Sequence, residues 1–259
     1  MIISDKYKLA FVHIPKCGGT TVKLSMAALD DRGGLYSKVQ IHPELGRMDY
    51  THIPLRIMKR YFAEDFECVR TYRSYALCRE PMDRFLSAVL QRIMVYDQAR
   101  RRETLPRDAL RAEIERVIGY LSEHDTIDNH RFIHFEKQCS FLFSDSEQVV
   151  DRIFRLCDMD RMFEEIAACT NLQIGRQAAL NQSLYARNVA ARFLVEKVWP
   201  IGRRLLPHRL AATRHRLKSY LFVPARQRLG DVLESSEARE FIERYYACDL
   251  ELFHSLGPR

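Results

Sequence analysis

"LAFVHIPKCGGTTV", residues 9–22, sets an apolar run against a proline, a lysine, two glycines and two threonines. Leu9 to Ile14 has the length and composition of a buried strand, and Pro15 ends it. From Thr20 onward, Val22, Leu24, Met26 and Leu29 recur at helix-like intervals, and Asp30 to Gly34 reads as a turn. A strand, a glycine-bearing turn and a helix start gather backbone N–H groups around one point, which makes a cradle for an oxyanion. Gly18 and Gly19 permit close approach, Thr20 and Thr21 add hydroxyl donors, and Lys16 adds a full charge. The nucleotide loop G-x-x-x-x-G-K-[ST] instead puts its lysine after the glycines and its hydroxyl on magnesium. Here the lysine comes first, and no aspartate ends an apolar strand. That order argues against ATP or GTP held with magnesium.

A second junction follows the same logic. "SYALC", residues 74–78, reads as a strand and runs into Arg79, Glu80 and Pro81. Met82, Phe85, Leu86, Val89, Leu90, Ile93 and Met94 then repeat at three and four, a strongly amphipathic helix. Proline is tolerated at such a helix start. Ser87 lies eight residues beyond Arg79, about two turns along, at the edge of the apolar stripe. An arginine and a serine converging on one spot suit a dianionic phosphomonoester. The plainer reading has Arg-Glu-Pro capping the helix and Ser87 packing.

The spacing predicts further helices from Pro54, from Pro106 to Leu121, and near the end from "SSEAREF" to a Gly-Pro stop. "DRIFRLCDMDRMFEEIAACT", residues 151–170, reads as a short strand and a helix capped by Asp158 or Asp160. Residues 35–53 show no clear period. Two strands each followed by a helix imply an α/β fold with a parallel sheet. With no linker in view, residues 1–259 are expected to form a single domain.

Composition narrows the class. The chain has 259 residues, 47% of them hydrophobic, and no apolar run long enough to span a membrane or serve as a signal peptide. Seven cysteines without a C-x-x-C pair suggest free thiols in a reducing cytoplasm rather than a disulfide framework or a zinc site. The net charge of +7 is local: residues 197–228 hold nine of the 41 Lys and Arg and no Asp or Glu, leaving 32 basic against 34 acidic residues elsewhere. The wider segment 184–230 alternates such arginines with Phe193, Leu194, Trp199, Leu205 and Leu206 and is expected to be a basic helical insertion. Three readings stay open for it: a wall attracting a polyanionic glycan, an amphipathic surface for an anionic membrane, or an ordinary solvated face. Nucleic acid accounts for the charge but not for a second phosphate site.

Together, "PKCGGTT" and "CREPMDRFLSA" resemble the sulfotransferases that use 3′-phosphoadenosine 5′-phosphosulfate (PAPS). "FEKQCSFLFS", "LNQS" and "YYACDLELF" are similar to landmarks of the heparan-type and other carbohydrate branches, so the likeness covers most of the chain outside 184–230. That family usually has Asp where Glu80 stands here. The resemblance implies a three-layer, P-loop-like core with a parallel sheet flanked by helices. It implies that Lys16 contacts the bridging oxygen between 5′-phosphate and sulfate. Cys17, Gly18, Gly19, Thr20 and Thr21 would form the 5′-phosphate loop, and Arg79 with Ser87 would hold the 3′-phosphate. The product is then PAP, and no metal is expected.

Sulfuryl transfer needs a base, and the resembling enzymes take it from a histidine between the two phosphate sites. His42 and His52 fall there, and "YTHIPLRIMKRYF", a histidine just before a short helix, favours His52; Glu44 and Asp49 are the alternatives. His13 is expected to be structural. Gln138, Asn181 and Ser183 are expected near the acceptor or adenosine, and Cys17 is either a reactive thiol or a small filler. The acceptor implied is a carbohydrate or glycolipid hydroxyl, in a cytoplasmic enzyme. The rival readings are a magnesium-dependent nucleotide kinase with a degenerate loop and a non-catalytic module that binds anions or a membrane surface.

Overall fold

The computed structural model describes residues 1–96, 107–172, 174, 184–186, 222–224 and 236–257. Its central sheet has four strands in the order β1 (Ile2–Ser4), β2 (Leu9–Val12), β5 (Arg73–Cys78) and β8 (Arg152–Arg155). The strands β2, β5 and β8 run parallel, whereas β1 pairs antiparallel with β2, Ile2 opposite Phe11. The sheet is therefore mixed, correcting the all-parallel expectation. A strand of three residues is too short to show a period, and "MIIS" gives no other sign of pairing.

All four residues of β2 are buried, as are the last five of β5. Side chains on both faces of these strands are thus covered, as parallel strands require. The helices α1 (Gly19–Ser25), α2 (Leu55–Tyr61), α3 (Ala63–Thr71) and α6 (Met159–Thr170) flank the sheet. Pro54 stands at the N-cap of α2, so the helix begins one residue after the expected start. The sequence gives little sign of α3 because only Phe66 and Val69 along it are buried. A hairpin, β3 (Val39–His42) with β4 (Gly46–Asp49), occupies the stretch without a clear period; most of its residues are exposed, so alternation is faint. Another short pair joins β6 (Phe143–Ser144) and β7 (Glu147–Gln148).

The helix after the second junction, α4 (Pro81–Tyr96), buries Phe85, Leu86, Val89, Leu90 and Ile93, each worth roughly 1.5–3 kcal/mol when fully covered. A further helix, α5, spans Arg107–Glu123. Two strands of three residues, β9 (Leu184–Ala186) and β10 (Phe222–Pro224), pair antiparallel within the basic segment. The rest of that segment, with the helices expected there, lies outside the described residues. The chain ends in α7 (Ser236–Tyr245) and α8 (Ala247–Ser255). It divides into two compact units, one of Met1–Ala88, Val117–Leu180 and Glu240–Arg259, the other of Val89–Arg116 and Asn181–Arg239. Among the described residues no helix is long and apolar enough to cross a membrane.

Cys139 and Cys248 form a disulfide across 109 residues, with Cα atoms 6.6 Å apart. The expectation of free thiols throughout is corrected, and with it goes the ground for a reducing cytoplasm. Two cysteines so far apart in sequence carry no spacing signal that could have paired them.

Candidate functional site

Every residue of the site lies in the first unit, at the carboxyl edge of the parallel strands, where α/β sheets place their ligands. Val12 of β2 sits beside Ala76 of β5, so the chain leaves both strands at nearly the same height. The first exit carries Lys16 and the second Arg79. The Arg79 guanidinium reaches back, its Nη1 donating to the Lys16 carbonyl at 3.4 Å. The Arg79 side chain therefore meets the Lys16 backbone, and its charge also reaches the Lys16 ammonium.

The first loop is built by backbone conformation. Lys16 has φ of 66° and Gly18 of 78°, both left-handed. For lysine that conformation costs about 1–2 kcal/mol, a strain that tends to mark functional sites. A Cβ on Gly18 would come within 2.6 Å of Leu156 Cδ1 and 2.7 Å of Met159 Cε, so both side chains would have to shift, and the left-handed φ strains any side chain there in addition. A Cβ on Gly19 would overlap the His13 imidazole. Gly19 and Thr20 open α1, so their N–H groups have no acceptor within the helix. Thr20 is exposed and Thr21 half-buried. Burial, and then the Arg79 charge, lower the Lys16 ammonium to about 8. Two cations held so close make a site that an anion would relieve.

Cys17 turns inward. Its N–H donates to the Ile14 carbonyl at 3.4 Å, its thiol to Gln138 Oε1 at 3.3 Å, and burial pushes the thiol up to about 12. It is a filler, without the thiolate character that reactive cysteines need.

Gln138 is the residue that sequence reasoning misplaced. It is wholly buried and joins the two junctions: its Oε1 accepts from Cys17 and, at 2.9 Å, from the Arg79 N–H, while its Nε2 donates to the Arg79 carbonyl at 2.9 Å. Such a side chain cannot line an acceptor cleft. Asp249 in turn accepts from the N–H groups of Gln138 at 2.8 Å and Cys139 at 2.9 Å, and pairs with the buried Arg84 at 3.6 Å. The Arg79 turn is held from a third side by Glu80, whose carboxylate accepts from Met82 N at 3.0 Å and Asp83 N at 2.7 Å. Glutamate caps α4 here as an aspartate would. Ser87 is half-buried on α4, and its hydroxyl takes no part in these contacts. Asn181 and Ser183 lie outside the described residues.

The two histidines between the junctions separate cleanly. His42 belongs to the β3–β4 turn, where its Nδ1 accepts from Glu44 N at 3.2 Å and Leu45 N at 3.3 Å. Glu44 itself is exposed. His52 ends a short 3₁₀ turn, Tyr50–His52, and is buried beside the first loop. Its Nδ1 lies 3.1 Å from the His13 carbonyl. A carbonyl only accepts, so Nδ1 carries the proton and Nε2 keeps its lone pair. Asp49 caps the same turn, its Oδ1 accepting from Thr51 N at 3.0 Å, and its Oδ2 lies 4.0 Å from His52 Nε2. Burial lowers His52 to about 4 despite the opposing pull of Asp49; the Lys16 charge pushes the same way. The ring is thus a neutral imidazole at physiological pH.

His13 and His134 flank it, with ring centroids 4.5 and 5.1 Å from that of His52. His134 had no sequence signal, being 82 residues from His52 and in a stretch without a period. The arrangement gathers two cations, a neutral imidazole and a carboxylate.

The sequence matches the model of the Sulfotransferase family over residues 1–254. No curated protein and no solved structure gives a significant match.

Proposed function

The chain belongs to the sulfotransferase family, and we propose that it moves the sulfuryl group of PAPS to a hydroxyl of a carbohydrate or glycolipid, with His52 as the base. The observation carrying this reading is the contact of the two junctions, Arg79 Nη1 at 3.4 Å from the Lys16 carbonyl. One donor with phosphates on both the 3′ and the 5′ oxygen of its ribose needs such a neighbourhood, and a nucleotide phosphorylated at the 5′ position alone does not.

The residues fit the donor on two counts: a glycine cradle that a Cβ would fill, and two cations from separate junctions close enough that the Arg79 charge lowers the Lys16 ammonium. When bound, PAPS supplies the sulfuryl group and leaves as PAP. Lys16, the N–H groups of Gly18 and Gly19, and the hydroxyls of Thr20 and Thr21 would hold the 5′-phosphate end. Arg79 and Ser87 would hold the 3′-phosphate. Preorganised cations stabilise charge developing on a departing phosphate most strongly where water is excluded. His52 Nε2 would take the proton of the acceptor hydroxyl, and the Asp49 charge, 4.0 Å from that same nitrogen, would stabilise the imidazolium that results. None of these steps calls for a metal.

The carbohydrate acceptor rests on the likeness of the later motifs to the carbohydrate branches. The charge of residues 197–228 supports an acceptor that is itself polyanionic, drawn in by long-range attraction. The test is transfer from sulfur-labelled PAPS by the full chain to a panel of glycans, glycolipids, phenols and peptides. Label on a saccharide hydroxyl is expected. Label confined to non-saccharide acceptors would overturn the acceptor, and thermal stabilisation by ATP with magnesium but not by PAP would overturn the donor.

A further inference from the structure

His52 and its neighbours carry a second chemistry. Asp49, His52 and His134 each offer one ligand atom, and these atoms lie within 4.8 Å of one another. We propose that they form a zinc(II) site whose occupation excludes the acceptor.

The donor set is two imidazoles and a carboxylate, borderline and hard ligands of the kind that hold zinc with one position left open. Zinc bonds to these atoms at about 2.0–2.2 Å, so ligand atoms sit roughly 3.3–3.5 Å apart in a tetrahedral site. His52 Nε2 and Asp49 Oδ2, at 4.0 Å, must close by about half an ångström, and no pair in the set by more than about 1.5 Å.

A second observation points the same way. In metal centres the atom of a ligand residue that faces away from the ion is itself held by a backbone or side-chain partner. Both ligands from the Tyr50–His52 turn meet that condition: His52 donates through Nδ1 to the His13 carbonyl, and Asp49 accepts through Oδ1 from Thr51 N–H. Nε2 and Oδ2 are the atoms left over, 4.0 Å apart. Asp49 and His134 are half-buried, so two of the three ligand residues keep some contact with solvent. Lys16, whose charge reaches both His52 and His134, opposes the cation and sets the site apart from a permanent structural centre. The ion would come and go. While it is there, the Nε2 lone pair is engaged and cannot accept a proton.

Zinc binding does not depend on the proposed reaction; the inhibition does, because it rests on His52 being the base. The experiment is a titration of the full chain with cobalt(II), a spectroscopic stand-in for zinc, followed by displacement with zinc. Visible bands of a low-coordinate cobalt site are expected, without the near-ultraviolet thiolate band that binding at Cys157 or Cys169, both exposed, would add. Asp49→Asn and His134→Gln are each expected to weaken binding tenfold or more, with melting curves confirming that both fold, while C157S and C169S leave it intact. A hexa-aquo spectrum at saturating protein, a thiolate band, or affinity unchanged in both Asp49→Asn and His134→Gln would overturn the site. Zinc is further expected to suppress transfer from PAPS, and a chelator to restore it. Tight zinc binding with transfer undiminished would leave the metal site standing and overturn both the exclusion of the acceptor and the role of His52.

Discussion

Gly19, His13 and His52 form a chain of contacts in which each sets the next. A side chain at 19 would strike the His13 ring, and the His13 carbonyl fixes which nitrogen of His52 holds the proton. If His52 is the base, His52→Ala lowers kcat by about 10²–10⁴ while PAP affinity stays within a few-fold of the native value. Normal turnover with intact PAP binding would remove the assignment. Lys16 gives a pH prediction. Its ammonium is lowered to about 8 in the free protein, so it is charged below that value and neutral above it. A bound phosphate favours the charged form, and PAP affinity is expected to fall as pH rises through about 8. Calorimetry in buffers of different ionisation enthalpy would register proton uptake on binding near that pH. Affinity flat from pH 7 to 9 would contradict it.

At the scale of elements, the two strand-to-helix loops are joined by pieces remote in sequence. The segment 136–139 threads between them, and α8 clamps that segment through Asp249. Arg84 and Asp249 are both fully buried, and removing one partner leaves the other uncompensated. Asp249→Ala is expected to cost about 3–5 kcal/mol of stability, read as a lower urea midpoint, and to weaken PAP binding through the loosened Gln138. A loss below about 1 kcal/mol would show the pair to be dispensable. These joints also mark the limit of legibility. Lys16, Gly18 and Arg79 stand out because their types and spacings are local. Gln138, His134 and Asp249 matter only through partners dozens of residues away, and nothing in their own surroundings in the chain announces it. Glu136, in the same landmark segment, is wholly buried and accepts from Ile127 N at 2.6 Å, a structural role that its motif alone could not distinguish from a catalytic one.

For the whole molecule, the buried His13 and His52 and the half-buried His134 beside them decide how it meets acid. His13, His52 and His134 are all lowered by burial, His52 to about 4 from 6.5. The unfolded chain takes up protons at these positions before the folded one does, so stability falls as pH drops from about 6.5 toward 4. The urea midpoint is expected to decline over that window, and His13→Phe to flatten the decline; a midpoint level down to pH 5 would contradict this. The mixed α/β architecture follows from alternation of strand and helix, which the sequence displays along β2, α1, β5 and α4. The disulfide and the antiparallel edge strand do not, since one depends on a separation of 109 residues and the other on three residues.

The central claim is that two junctions grip the 5′ and the 3′ phosphate of one adenosine donor. Titration of PAP and of 5′-AMP into the native chain and into Arg79→Ala tests it most directly. A charge-assisted hydrogen bond is worth about 1.5–3 kcal/mol, or roughly 10- to 100-fold in affinity. The native chain is predicted to prefer PAP over 5′-AMP by at least that factor, and Arg79→Ala to erase the preference while leaving 5′-AMP binding nearly unchanged. Equal loss of both ligands, or no preference in the native chain, would contradict the account.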